Sequence, residues 1–289
     1  MMQSYQFHQT DSLEEALEIL HRRAVKCAVI AGGTDLLPTL RKEEAHPEHV
    51  LNLMNIAELS GIEESNGRIH IGPTTTFTDL AGSEILNEAL PLLVEAAKSV
   101  GGPQIRNRGT IGGNIVTSSP AADVLPAVMA LEAKVELRRR GGTRVLPLAE
   151  AVIGPYENCL AGNELLTKIT IDKPASGSRQ GFFKLGRRKA LARARMNLSV
   201  LLHLNGEGLI QKASIVAGAV MPVARKVPAA EAALIGTKAD EEALEAAALE
   251  LEKEMVAASG IRWSTEYKAP VLKNVFKRVM KGMLAEDPK

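Results

Sequence analysis

The segment CAVIAGGTDLLPTL (27–40) brings an apolar run to an abrupt end at two adjacent glycines, Gly32 and Gly33. The run predicts a buried strand over 27–31, and the apolar residues beyond the glycines predict a short helix over 36–42. Glycine lets a ligand approach the backbone because it has no Cβ, and the first amides of a helix have no intrahelical partner. The segment therefore predicts a strand, a turn and a helix, with a turn that can receive an anion.

Two polar residues follow the glycines. Thr34 adds a hydroxyl donor to the turn, whereas the Asp35 carboxylate would repel a phosphate and is better suited to cap the helix. A glycine pair at the end of a strand is usually only a turn, so this segment alone leaves both interpretations open. No G-x-G-x-x-G motif follows a predicted strand, so the best-known dinucleotide fingerprint is absent from the chain.

A second glycine-rich segment, NRGTIGGNIVTSSPAAD (107–123), favours a ligand. It shows no regular hydrophobic period, and it concentrates hydroxyl and amide side chains around Gly112 and Gly113. Groups of this kind can hydrogen-bond a long polar ligand, and glycines let it approach the backbone. Two such segments in one domain predict a dinucleotide held between them.

Composition limits the classes of function. The chain has 289 residues, 45% of them hydrophobic, and a formal net charge of +1. Balanced charge and an aromatic content of 3% argue against nucleic-acid binding. Two cysteines, Cys27 and Cys159, are too few for an iron–sulfur cluster and suit a reducing, cytoplasmic setting. The polar first residues lead us to expect no secretory signal, and no apolar run reaches the roughly 20 residues that span a bilayer.

The pattern divides the chain into three parts, 1–55, 56–175 and 176–289. The first part alternates predicted helices and strands. The second begins with a hairpin at Asn66-Gly67, the pair that suits a type I′ turn, and continues with helices. A Pro- and Gly-containing linker, DKPASGSRQG, precedes the third part, which predicts an antiparallel sheet followed by amphipathic helices. The predicted class is α+β.

Three segments resemble the FAD-binding medium subunit of the molybdenum hydroxylases, a group that includes the xanthine dehydrogenases and aerobic carbon monoxide dehydrogenases. These segments are AGGTDLL, IRNRGTIGGNIVTSSPAADVLPAVMAL and FFKLGRRKALARARMN. The resemblance extends over nearly the whole chain, and AGGT followed by TIGGN is far more specific than either motif alone. It implies the vanillyl-alcohol-oxidase-type FAD-binding fold, with two α/β subdomains at 1–55 and 56–175 and a C-terminal α/β domain at 176–289.

The resemblance also implies a set of FAD contacts. The pyrophosphate would lie on the first glycine segment at Ala31, Gly32, Gly33, Thr34 and Asp35, and on the second at Thr110, Ile111, Gly112, Gly113 and Asn114. The adenine side would be lined by Ala28, Val29 and Ile30. The flavin half would meet Asp123 and Lys184.

Simpler roles stay open for three of these residues. Asp123 could cap the helix that begins near Leu125. Lys184 could be a solvated lysine on an edge strand, and Asn114 could hydrogen-bond only within its own loop.

The family's chemistry implies a partner-dependent role. The resemblance implies a molybdopterin-binding large subunit that oxidises the substrate, and a [2Fe-2S] small subunit that passes electrons to FAD on this chain. FAD would then reduce an external acceptor, either NAD or another oxidant. No catalytic acid, base or metal ligand is expected on this chain, because the cofactor carries the chemistry.

Three alternatives remain. A stand-alone flavin oxidoreductase would need a base or a covalent His or Cys near the flavin, and neither glycine segment contains one. A non-catalytic scaffold would keep the fold without FAD, against which the intact glycine segments argue. A plain α/β domain with glycine turns is the third.

Overall fold

The computed structural model describes residues 4–188 and 191–285, and its three larger sheets contain three, five and four strands. The first sheet is parallel, with strand order β1-β3-β2. Its elements are β1 (Gln6–Gln9), α1 (Leu13–Arg23), β2 (Cys27–Ile30), α2 (Leu36–Arg41) and β3 (His49–Asn52).

Helix α1 forms where the sequence predicts it. The Ser12 side chain accepts a hydrogen bond from the Glu15 amide, which satisfies one of the free donors at the start of the helix. The apolar residues of α1 lie on one face and pack into the small core under the parallel sheet. Since the strands are parallel, their carboxyl ends share one edge, and the turn after β2 projects from that edge.

The second part is built on an antiparallel sheet with strand order β4-β5-β10-β6-β7. After a 3-10 turn at Ala57–Leu59, its elements are β4 (Ile62–Ser65), β5 (Arg68–Ile71), α3 (Phe77–Gly82), α4 (Glu84–Ala89), α5 (Pro91–Ser99), α6 (Pro103–Arg106), α7 (Ile111–Thr117), α8 (Val124–Ala130), β6 (Lys134–Arg139), β7 (Gly142–Pro147), α9 (Leu148–Ala151), β8 (Val152–Gly154), β9 (Glu157–Asn158) and β10 (Leu165–Asp172). The predicted hairpin is confirmed: Asn66 and Gly67, with φ of 51° and 70°, join β4 to β5.

The second glycine segment is more regular than the sequence predicts. It contains the helix α7, whose N-cap residue Thr110 accepts a hydrogen bond from the Gly113 amide. Two glycines and four β-branched residues give this seven-residue stretch a poor helix propensity, so the sequence pattern does not indicate a helix here. Burial of Ile111 and Ile115 in the core of the second part stabilises the helix instead.

The third part is an antiparallel sheet with strand order β11-β12-β13-β14 and helices on one face. Its elements are β11 (Arg179–Gly186), β12 (Ala194–Leu204), β13 (Ile210–Gly218), β14 (Arg225–Lys226), α10 (Pro228–Ala232), α11 (Glu241–Ser259) and α12 (Thr265–Ala285). The helices α11 and α12 cover one face. The other face contacts α5 and α8 of the second part, so β12 is buried on both sides.

Across 4–188 and 191–285, every helix is too short or too polar to cross a bilayer.

Candidate functional site

The two glycine segments touch each other through their backbones. A Cβ on Gly32 would lie 1.7 Å from the carbonyl oxygen of Arg108, so no other residue fits there without moving one of the segments. Gly33 has a φ of +72°, the left-handed conformation that side chains disfavour. A steric contact at the first position and a left-handed backbone at the second therefore require glycine, and the sequence pattern alone does not reveal this.

The turn at 32–35 has backbone amides that the described part of the chain leaves unused. Within the described part of the chain, the backbone N–H groups of 32–35 donate to no acceptor, whereas the Gly33 carbonyl accepts from the Leu37 amide at 3.1 Å. Asp35 occupies the N-cap position of α2, as predicted, but its carboxylate makes no capping hydrogen bond. That carboxylate instead accepts from the Thr117 hydroxyl at 3.4 Å, which links the two segments. The turn thus presents bare donors of the kind that bind anions.

The second segment differs, because its amides are already engaged. The amides of Ile111, Gly112 and Gly113 donate to protein oxygens at 3.0, 2.8 and 3.1 Å. Gly112 is pressed against Pro73, whose Cβ would lie 2.5 Å from an added Cβ. An added Cβ on Gly113 would approach only the Thr110 hydroxyl, at 3.0 Å. The backbone N–H groups of 111–113 are therefore not free to bind a ligand.

A cavity of about 830 Å³ lies between the two segments. This volume falls within the roughly 300–1,000 Å³ typical of pockets for cofactors and other small molecules. The wall contains every predicted site residue except Ala28, Ile111 and Lys184: it includes Val29, Ile30, Ala31, Gly32, Gly33, Thr34, Asp35, Thr110, Gly112, Gly113, Asn114 and Asp123. Ile111 is fully buried, and Lys184 reaches the site through Asp123.

Asp123 and Lys184 form a buried ion pair between the second and third parts. The Lys184 ammonium lies 2.6 Å from the Asp123 carboxylate, and the two side chains are 12% and 8% exposed. Lys184 also donates to the Ser99 carbonyl at 2.8 Å. The interpretation of Lys184 as a solvated edge lysine is therefore wrong, although β11 is an edge strand.

The side chain that caps helix α8 is Asn114, and the sequence-based alternative of a cap by Asp123 is wrong. Asp123 stands at the N-cap position but its carboxylate makes no capping hydrogen bond. The Asn114 side chain accepts from the Leu125 amide at 3.0 Å instead. Asn114 therefore reaches beyond its own loop, and the Asp123 carboxylate is left for the ion pair.

Burial raises the pKa of Asp123 above the ordinary value for a carboxyl group. The Lys184 ammonium and a hydrogen bond from Asn197 oppose this rise, because both favour the charged form. A cation and a carboxylate thus lie next to each other, with the carboxylate in the cavity wall.

Several wall residues are absent from the sequence predictions. Pro73 and Phe77 line the cavity from one segment and Leu191 from another, and no local pattern indicates this position for them. Asn197, which contacts Asp123, lies within a segment that carries the family resemblance. Its signal in the sequence is an amide at the start of the apolar run NLSVLLHL.

Comparison with known families decides the assignment. The model for the FAD-binding domain in molybdopterin dehydrogenase matches residues 3–174. The chain belongs to this family. The model for the CO dehydrogenase flavoprotein C-terminal domain matches residues 181–283.

The similarity to known relatives extends over nearly the full length of the chain. The chain is 33% identical to the nicotinate dehydrogenase FAD-subunit of Eubacterium barkeri, with 98% of this chain and 97% of that protein covered. It is 32% identical to the carbon monoxide dehydrogenase medium chain of Hydrogenophaga pseudoflava, with 97% of each covered. A solved structure of carbon monoxide dehydrogenase from that organism, lacking the Mo-pyranopterin moiety, superposes with a TM-score of 0.92 over 99% of both chains.

The protein is an FAD-binding subunit of the molybdenum hydroxylase family and therefore part of an oxidoreductase. The predicted family, cofactor and α+β fold with an added C-terminal domain are confirmed.

Proposed function

We propose that this chain is the electron-transfer subunit of a multi-subunit molybdenum hydroxylase. It would hold FAD between the iron–sulfur clusters of a [2Fe-2S] small subunit and an external acceptor, in a heterotrimer with a molybdopterin-binding large subunit. The names of its relatives, an FAD-subunit and a medium chain, support this assembly. When bound, FAD supplies the electron-accepting and electron-donating chemistry that protein side chains lack.

The observation that carries the proposal is the set of free amides at 32–35 beside a cavity of suitable size. A diphosphate needs several N–H donors and no intervening Cβ, and this turn offers both. We assign the pyrophosphate to Ala31, Gly32, Gly33, Thr34 and Asp35. Within this set the backbone would hold the anion, and the Asp35 carboxylate would stay turned to Thr117.

The second segment would flank the same group. We assign Thr110, Ile111, Gly112, Gly113 and Asn114 to it, with Gly113 facing the ligand and the buried Ile111 acting from behind the wall. Gly113 suits this role because an added Cβ there would meet only one side-chain oxygen of the protein. Ala28, Val29 and Ile30 would take the adenine side, and Ala28 would act from outside the wall.

Asp123 and Lys184 would serve the flavin half. The carboxylate lies in the cavity wall, and the ammonium lies directly behind it. Together they would keep a paired charge at a buried site, where a single charge would be costly. The pair would also hold the C-terminal domain against the FAD-binding part.

Other features are part of the same proposal. We divide the chain into FAD-binding subdomains at 1–55 and 56–175 and a C-terminal domain at 176–289, each supported by one of the three larger sheets. Free thiols at Cys27 and Cys159 support a cytoplasmic setting. The acceptor is NAD or another oxidant.

The electron-transfer role is tested in the complex, by expressing the chain with its proposed large and small subunits. Rapid mixing with substrate should reduce the iron–sulfur centres equally in the parent complex and in a complex carrying Gly33→Val. Only the parent should go on to reduce an external acceptor, because the variant lacks the left-handed turn that the site needs. Undiminished reduction of the acceptor by a flavin-free complex would contradict the proposal. Turnover by the FAD-loaded chain alone would favour the stand-alone enzyme.

A further inference from the structure

An inner strand of the C-terminal sheet, β12, is buried on both faces and carries polar residues on one of them. Met196, Leu198 and Val200 point into the core beneath α11 and α12. The alternate positions Asn197 and Ser199 face the FAD-binding part, and both are 0% exposed. Buried polar side chains in such a strand need a reason, because apolar residues would pack there without loss of hydrogen bonds to water.

Asn197 holds the two residues at the start of α8. Its side-chain nitrogen donates to the Ala122 carbonyl at 2.8 Å and approaches the Asp123 carboxylate at 3.4 Å. Lys184 is the cross-strand partner of Asn197 in the pairing of β11 with β12. Adjacent strands therefore present an ammonium to one oxygen of Asp123 and an amide to the other.

The adjacent strand β13 has a glycine opposite Asn197, which leaves space for the Asn197 side chain. Gly218 is the partner of Asn197 on β13, and a Cβ on Gly218 would lie 2.1 Å from the Asn197 side-chain oxygen. That oxygen is buried and has no hydrogen-bond partner within the described part of the chain. A buried acceptor without a partner costs stability, so the amide is explained by what its nitrogen holds. Lys184, Asn197 and Gly218 thus form a row across three strands, aimed at Asp123.

We propose that Asn197 is a positioning residue of the FAD site, which fixes the Asp123 carboxylate from the C-terminal domain so that it meets the flavin half of the cofactor. This inference rests on the proposed function, because that function gives Asp123 its ligand. Without Asn197 the carboxylate keeps Lys184 but loses the donor on its second oxygen, and α8 loses the contact at Ala122. The effect should reach FAD mainly through Asp123, because Ala122, although it also lines the cavity, contacts Asn197 only through its backbone carbonyl.

The test compares Asn197→Leu with Ser199→Ala in the full chain. The leucine keeps the volume and removes the donor. The matched control removes a hydroxyl that is equally buried on the same face and has no partner in the described residues. Titration with FAD, followed by flavin fluorescence, should show about tenfold weaker binding for Asn197→Leu and an unchanged dissociation constant for Ser199→Ala. The midpoint potential of the bound flavin should shift only in Asn197→Leu.

A double-mutant cycle with Asp123→Asn separates positioning from general support of the fold. In the Asp123→Asn background, Asn197→Leu should weaken FAD binding by no more than about twofold, since the carboxylate that it positions is gone. Gly218→Ala offers a second route, because its added Cβ displaces the Asn197 side chain without removing it. The same Cβ would lie 2.7 Å from Pro126 of α8, and both displacements should weaken FAD binding. Equal effects of Asn197→Leu in both backgrounds, or an unshifted potential, would overturn the inference. Failure of the parent chain and its complex to bind FAD would instead contradict the proposed function.

Discussion

In the turn after β2, the backbone amides of 32–35 donate to no acceptor in the described chain, whereas at the start of α7 the amides of 111–113 all donate to protein oxygens. Both segments contain a Gly-Gly pair beside a threonine, and their backbones touch at Gly32 and Arg108. The Gly-Gly pair therefore has a different role in each of the two segments. In the first segment glycine permits a turn with free donors. In the second, Gly112 permits close packing against Pro73, and we propose that Gly113 permits close approach of the ligand. Similar motifs can thus have complementary roles in one site.

The largest expected effect comes from closing the contact between the segments. Gly32→Ala would set a methyl group against the Arg108 carbonyl, where the gap to an added Cβ is 1.7 Å. We expect a loss of about 4 kcal/mol in the free energy of unfolding, together with loss of FAD binding. Chemical denaturation and FAD titration measure both. Gly206→Ala is the control, since nothing lies within 4 Å of an added Cβ there. Near-parent stability of Gly32→Ala would show that the two segments are not in firm contact.

The far end of the second segment is fixed by the C-terminal domain, and Lys184→Met tests this anchor. Loss of Lys184 leaves a buried carboxylate unpaired, so the free energy of unfolding at neutral pH should fall by about 3 kcal/mol. Lys212→Met removes a cation from an exposed pair with Glu132 and should change it by less than about 1 kcal/mol.

The loss in Lys184→Met should depend on pH with a defined sign. Burial already raises the pKa of Asp123, and removal of the neighbouring cation raises this pKa further. A group whose pKa is higher in the folded chain holds its proton better there, so stability falls as pH rises through the interval between the unfolded and folded pKa values. The variant should therefore lose less relative to the parent at about pH 5 than at about pH 8. A loss that grows on acidification would show that Asp123 is not the group left unpaired.

Gly113→Ala should separate ligand approach from packing. Gly113 lies in the first turn of α7 and its added Cβ meets only the Thr110 hydroxyl, so stability should hold or rise by up to about 1 kcal/mol. FAD binding should weaken about tenfold, because the methyl group projects into the cavity. Gly112→Ala should show the opposite balance, with a loss of about 1–3 kcal/mol in stability from the clash with Pro73. If the two variants lost stability and FAD affinity to the same extent, Gly113 would not differ from Gly112 in facing the ligand.

The smallest effect belongs to the side-chain link between the segments. Thr117→Val removes the long hydrogen bond to Asp35, which is exposed and measures 3.4 Å. We expect a change in stability within about 0.5 kcal/mol and a loss of FAD affinity of no more than about twofold, because the hydrogen bond that holds the Asp35 carboxylate is long and exposed. Differential scanning fluorimetry with and without FAD measures both. A large loss of affinity would indicate that the Asp35 carboxylate is oriented for the ligand by Thr117.

Much of this architecture follows from local sequence. Helix α1, the hairpin at Asn66-Gly67 and the antiparallel strands of the third part have clear periodic or turn signals, and each is confirmed. Helix α7 has no such signal, because it is short and glycine-rich and is stabilised by burial of Ile111 and Ile115. The local pattern could predict the elements, but not a helix that depends on tertiary packing.

The sequence predicts the type of ligand that the candidate site binds, but not the contacts that build the site. Glycines and polar groups indicate a dinucleotide, and the family resemblance names its residues. The unused amides of 32–35, the engaged amides of 111–113 and the burial of Lys184 arise from contacts between distant segments. Asn197 shows the same limit, since its partners Ala122 and Asp123 lie in another domain.

Hydrogen–deuterium exchange with and without FAD distinguishes the free amides of 32–35 from the engaged amides of 111–113. Exchange is read from overlapping peptides that cover 27–40 and 107–123 in the full chain. We expect fast exchange of the 32–35 amides in the apo chain and strong protection on addition of FAD. The 111–113 amides should be protected in both states, because the protein already engages them. Protection that appears on FAD binding only at 111–113, with no change at 32–35, would contradict this expectation.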